Sequence, residues 1–205
     1  MTKTVTLSKK DFDVFAIDGF GPRMEAFKAV LRPHLVAVAE RLVPAVSEVA
    51  GHPLYVHVAK HARRTVNPPA ESWAAFASQP RGYKKLPHFA LCVSRAGVHA
   101  RVVLKDEALD ARSRLVKACS AKKLRELGPA LAKMCARDYS RWDAVTLPDE
   151  LSGEASELKD VIAHAGLKTG HFSVGVFLGA KASDDALLDA FRALKGLYAL
   201  GLAKR

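Results

Sequence analysis

The chain has 205 residues, 49% of them hydrophobic, and carries a formal net charge of +11 at pH 7. That length can bury a core of its own, and no apolar run approaches the ~20 residues of a membrane-spanning helix. Three widely spaced cysteines (Cys92, Cys119, Cys135) form no C-x-x-C pair, so reduced thiols are expected rather than a disulfide frame or a zinc knuckle.

At the amino terminus, "MTKTVTLSKKDFDVF" lacks the apolar middle and small-residue cleavage site of a secretory signal, so a cytoplasmic location is expected. "DFDVFAI" alternates enough to predict a short first strand, broken by Gly19 and Gly21. Pro22 suits the first position of a helix. Met24, Phe27, Val30 and Leu31 follow at helical spacing, and Leu35, Val38, Leu42, Val46 and Val49 continue the stripe to Gly51. Pro33 and Pro44 should kink or divide that helix.

"PLYVHVAK" reads as a strand with Leu54, Val56 and Val58 on one face and Tyr55 and His57 on the other. Beyond Pro68-Pro69, "AESWAAFASQ" predicts a short helix. "HFALCVS" and "VHARVVLK" read as strands joined by a tight turn at Arg95-Ala96-Gly97. In the second, Val98, Ala100, Val102 and Leu104 form the core face, opposite His99, Arg101 and Lys105. Helices are expected within 107–137, with the stripe Leu124, Leu127, Leu131 and Met134 restarting at Gly128-Pro129, and again over 153–166. "DYSRWDAV" and "HFSVGVFLG" read as strands. Ser183 caps a last helix, with Asp184 and Asp185 in its first turn and the stripe Leu187, Phe191, Leu194 and Tyr198. Strands paired by a hairpin, mixed with helices but without regular βαβ units, predict one α+β domain over residues 1–205 with a largely antiparallel sheet flanked by helices.

The charge is unevenly placed. Residues 51–100 carry seven basic side chains against one acidic, and residues 111–141 nine against two, while residues 1–50 come to +1 and residues 142–205 to −2. In the first zone stand Lys60, Arg63, Arg64, Arg81, Lys84, Lys85 and Arg95, with Arg101 just beyond, interleaved with Trp73, Phe76, Tyr83 and Phe89. Arginine forks grip phosphate oxygens and lysines add point charge. Aromatic faces stack unpaired bases, worth ~1–3 kcal/mol each. Thr65 and Asn67 add neutral donors, and Pro68, Pro69 and Pro87 stiffen the loops that carry them. The second zone reads equally well as the polar faces of amphipathic helices. A helix-turn-helix around Cys119 is opposed by the Gly128-Pro129 break.

His57 and His61 have the i, i+4 spacing of metal ligands on a helix, but Lys60, Arg63 and Arg64 would repel a divalent cation and Glu71 is the only nearby carboxylate, so no metal is expected. With His88 they suit acid–base work on a phosphodiester beside an arginine clamp. Phosphate-loop, dinucleotide, serine-hydrolase and zincin signatures are missing, and no cofactor is expected.

The blocks "DFDVFAIDGFGPRMEA" and "HVAKHARRTVNPPAESWAAFASQPRGYKKLPHF" resemble the YktB-like family, cytoplasmic bacterial proteins grouped under a domain of unknown function. The resemblance implies a compact single-domain α+β fold and supplies no activity, cofactor or catalytic residue. The leading functional expectation is therefore drawn from charge: a non-enzymatic, cytoplasmic RNA-binding protein, ribosome-associated, with Lys60, Arg63, Arg64, Arg81, Lys84, Lys85 and Arg101 toward phosphates and Tyr83 and Trp73 stacking. The alternative is a metal-independent enzyme on a phosphorylated substrate using His57, His61 or His88. A third is an adaptor whose basic face meets an acidic protein.

Overall fold

The computed structural model describes residues 7–119, 165–167 and 172–202. Its elements are α1 (Lys9–Asp13), a 3-10 turn (Val14–Ala16), α2 (Phe20–Ala26), a π-helical turn (Phe27–Leu31), α3 (Arg32–Ala50), β1 (Tyr55–Val58), β2 (Glu71–Ala77), a 3-10 turn (Tyr83–Lys85), β3 (His88–Ser94), β4 (Gly97–Leu104), α4 (Leu109–Ala118), β5 (Phe172–Gly179) and α5 (Asp184–Gly201). The stripe at 124–134, the helix over 153–164, the strand "DYSRWDAV" and the second basic zone beyond Lys117 lie outside the described residues.

The fold is α+β. Five strands form one sheet in the order β1-β2-β3-β4-β5, every neighbouring pair antiparallel, so β1 and β5 are its edges. One face carries Ala74, Phe76, Phe89, Leu91, Val102 and Val174 against α3 and α5, all buried. Period-2 alternation in the strands meets the helical stripe Leu35, Val38, Leu42 and Val46 of α3 and Leu187, Phe191, Leu194 and Tyr198 of α5. Each of these large apolar side chains contributes ~1.5–3 kcal/mol through burial. Ser183 caps α5, its Oγ accepting from the Ala186 N–H at 3.1 Å. Arg41 of α3 pairs with Asp184 at the start of α5.

Two expected elements are corrected. "DFDVFAI" is helical rather than extended. Asp11 reaches back to accept from the Ser8 N–H at 2.7 Å and its hydroxyl at 2.9 Å, and also meets His34 Nδ1 at 2.8 Å, which fixes a helical first turn. "AESWAAFASQ" is not a helix but strand β2, paired along its length with β3 from Glu71↔Ser94 to Ala77↔His88. Alanine favours helices by only a few tenths of a kcal/mol, and a slot between two strands overrides that preference. The tight turn is confirmed: Ser94 pairs with Gly97 across Arg95-Ala96, and Gly97 holds φ 145°.

The long helix behaves differently at its two prolines. Pro33 lacks an N–H and crowds the carbonyl four residues back, and the chain loosens into the π turn at Phe27–Leu31 before it. At Pro44 the helix runs on undivided to Ala50, closed by Gly51 at φ 83°.

The opposite face of the sheet bears ionisable groups. His99 and Arg101 of β4 point there as expected, yet both are buried, Arg101 with 1% of its surface exposed. Gly175 lies opposite Arg101, and a Cβ there would meet Arg101 Cγ at 2.6 Å as well as the Ala100 carbonyl, so glycine makes room for the arginine stem.

Candidate nucleic-acid interface

Helix and strand edge build the site together. The helical stretch from Phe20 to Ala50 turns its buried stripe to the core and leaves Lys28, within the π turn, and Arg32, just after it, outside. β1 runs alongside α3 as an edge strand and ends at Val58, followed directly by Ala59 and Lys60. The following loop turns tightly, the Arg64 N–H donating to the His61 carbonyl at 3.1 Å. His61 takes φ 50°, the left-handed region that side chains with a Cβ seldom occupy. Its ring is what holds it: Phe27 meets it edge-on at 5.5 Å, Trp73 at 5.3 Å, and Nε2 lies 3.1 Å from Ser72 Oγ.

Two concavities result. One, of about 480 Å³, lies between α3 (Arg32, Val36, Glu40) and the chain from Val56 to Lys60, with Tyr83 at its rim. The second, of about 430 Å³, is more apolar, floored by Phe20 and Met24 and ringed by Lys28, His61 and Arg64. Arg32 and Lys60 border both, so the two are lobes of one groove. Among the described residues Glu40 is the only acidic one lining either lobe. Among the described residues no ion pair involves Lys28, Arg32, Lys60 or Arg63.

The expected site residues divide. Lys60 and Arg64 line the groove, and Arg64 Nη1 also donates to the Asn67 carbonyl at 3.3 Å. Arg63, Thr65 and Asn67 are exposed on the adjoining loop, with Val66 beside them 72% exposed. Arg81 and Lys85 are exposed on the β2–β3 connection, and Lys84 there pairs with Glu107 at 3.3 Å. An exposed pair of that kind contributes little and is readily given up. Tyr83 stacks on His57 with ring centroids 4.7 Å apart and accepts from the Trp73 indole N–H at 3.2 Å. Trp73 is occupied on its own account: Lys105 Nζ stands 4.5 Å from its ring centroid and His61 against its edge. Arg101 is placed away from the groove. Its Nη1 donates to both Glu71 oxygens, at 3.0 and 2.7 Å, on the buried face of the sheet, so it offers no phosphate contact.

His57 and His88 both pack on Tyr83, but neither lobe is lined by more than one of the three histidines. His57 lines the first lobe and its Nε2 lies 2.9 Å from the Gln79 carbonyl. His61 lines the second, and burial, then the charges of Arg64 and Lys105, lowers its pKa to about 4. His88 is fully enclosed beneath Tyr83, its Nδ1 2.9 Å from the Leu86 carbonyl, and burial lowers it to about 3. His61 and His88 are therefore neutral rings at pH 7, and His61 adds no positive charge of its own to the groove. Among the described residues no group of three or more His, Cys, Asp or Glu side chains could hold a metal ion, and no helix is long and apolar enough to cross a membrane.

Lys28 and Arg32 were not legible from charge density, because the first fifty residues are nearly neutral overall. A local signal exists: two cations at i, i+4 on one helix face repel each other, and both lie within the five residues before Pro33, the proline that forces the π turn.

Fold and groove together define an α+β protein with an open sheet edge bordered by a cation-lined cleft. The chain belongs to the family described as Domain of unknown function (DUF1054), whose model matches residues 7–188. This is the YktB-like family that the two sequence blocks resemble. A UPF0637 protein of Oceanobacillus iheyensis is 32% identical over 200 residues, 97% of each chain. UPF0637 proteins of Bacillus velezensis and Bacillus licheniformis are 55% and 47% identical over 84 and 88 residues, and those matches span 40% and 42% of the relatives' lengths.

Proposed function

We propose that this protein binds RNA, seating an unpaired stretch of the strand in the two-lobed groove between α3 and the β1 edge. One observation carries the reading: Arg32 and Lys60 stand at the junction of both lobes, with no carboxylate partner among the described residues. A linear polyanion laid along the groove passes this junction once and meets Lys28 and Arg64 on the way. Arg63, Arg81 and Lys85, exposed on neighbouring loops, extend the field that draws it in. The ring pair His57–Tyr83 at the rim of the first lobe offers a stacking surface. Catalysis by the histidines has less support, because each has a ring nitrogen engaged by the protein and they face different surroundings.

Salt dependence tests the reading. Four cations on four phosphates should give a log–log slope of affinity against salt of about −2 to −3 for single-stranded RNA. A flat profile, or no binding to total RNA at low salt, removes the proposal.

A further inference from the structure

The first lobe has a chemical direction as well as a charge. Ala59 donates its N–H to the Trp73 carbonyl at 3.0 Å, in register with the β1–β2 ladder. Antiparallel pairing alternates, so Tyr55 and His57 turn their peptide groups to β2, while Val56 and Val58 turn theirs out of the sheet. The open edge thus presents the Val56 carbonyl and, two residues on, the Val58 N–H: an acceptor followed by a donor. On the facing helix, Arg32, Val36 and Glu40 form one stripe, and Arg32 and Glu40 are about 12 Å apart along the axis. Arg32 shares the junction with Lys60, so Glu40 lies toward Val56. From Val56 to Lys60 the chain, strand to Val58 and then two further residues, covers up to about 13 Å. Both walls run from a cationic end to an acceptor-rich end over the length of one nucleotide.

Resting on the RNA reading above, the geometry points to a base-selective subsite in this lobe, one that takes a nucleotide with an amino base, adenine or cytosine. The phosphate sits at Lys60 and Arg32. The base lies against Val36 and the His57–Tyr83 pair, with its hydrogen-bonding edge to β1. Its exocyclic amine gives one hydrogen to the Val56 carbonyl and the other to the Glu40 carboxylate, while its ring nitrogen accepts from the Val58 N–H. Uracil has no amine and turns a carbonyl oxygen toward Glu40, leaving the carboxylate facing another acceptor. An added peptide strand is a poorer occupant. Only two residues of β1 face outward, whereas typical strands run five or six residues.

The test uses the full chain with labelled hexamers of A, C and U at low salt, in the wild type and in Glu40→Gln, an exposed position whose amide both donates and accepts. The wild type should hold the A and C hexamers about fivefold or more tighter than the U hexamer. In Glu40→Gln the three should come within about twofold, with the salt slope for the A hexamer unchanged. Adenosine monophosphate should displace the A hexamer at lower concentration than uridine monophosphate does. Equal wild-type affinity for all three hexamers, or a preference that survives in Glu40→Gln, overturns the subsite and leaves the RNA reading standing. Failure to bind any hexamer, with adenosine monophosphate still preferred over uridine monophosphate, overturns the RNA reading instead.

Discussion

Reversing charge at Arg32 and Lys60 together is expected to reduce affinity for single-stranded RNA by at least about a hundredfold at low salt, since each charge-assisted contact is worth ~1.5–3 kcal/mol. The salt slope should also fall by about 1.4, two contacts at 0.7 each. Both residues are exposed, so the fold should not suffer. The informative control is Arg192→Glu with Lys195→Glu on α5, which changes net charge by the same amount beside a different depression, lined by Ala45 and Glu48. If placement matters and net charge does not, the control should lose less than about threefold. Equal losses in the two double variants would mean that the groove is not the seat. Binding would then be a property of the basic chain as a whole.

Stability should fall steeply in acid, and for a local reason. In the unfolded chain His88 and His61 titrate near 6.5, while in the folded protein burial holds them at about 3 and about 4. Below pH 6.5 the unfolded chain binds protons that the folded one refuses, so stability is complete above that pH and declines as pH drops toward the folded values. For His88, enclosed by Tyr83 and close to Lys105 and His57, the decline is up to about 1.4 kcal/mol per pH unit. His61, partly open to solvent, adds a smaller loss in the same direction. Urea melts at pH 7, 6, 5 and 4 measure it. His88→Phe has no proton to take up and should flatten the curve below pH 6, whatever its stability at neutral pH. A wild-type curve level between pH 7 and 4.5 would contradict the buried, neutral state of both rings.

How much was legible in the sequence depended on whether a signal was local. The β3–β4 hairpin was readable because Val98, Ala100, Val102 and Leu104 alternate strictly and Gly97 supplies a backbone angle other residues avoid. The α5 cap and stripe were readable for the same reason. β2 was not: its Ala-rich segment carries helical propensity, and only the strands on either side make it extended. α1 was missed because "DFDVF" alternates like a strand while the deciding contacts are those of Asp11 with Ser8 and His34. Of the candidate site, Lys60 and Arg64 were found by charge density, and Lys28 and Arg32 were hidden by the acidic residues that share their helix. Arg101 illustrates the opposite error. Its cation counted toward the cluster, but its partner, Glu71, is thirty residues away and meets it only because β2 and β4 flank β3. A tally of charges does not contain that pairing.

The most direct measurement is ultraviolet cross-linking of the intact protein to single-stranded RNA, with the modified peptides identified by mass spectrometry. Cross-links are expected within residues 20–40 and 55–66, where Phe20, Tyr55, His57 and His61 border or adjoin the groove. They should be lost from both segments together in the Arg32 and Lys60 charge-reversal variant. Cross-links confined to residues 111–141, with neither groove segment modified, would contradict the account.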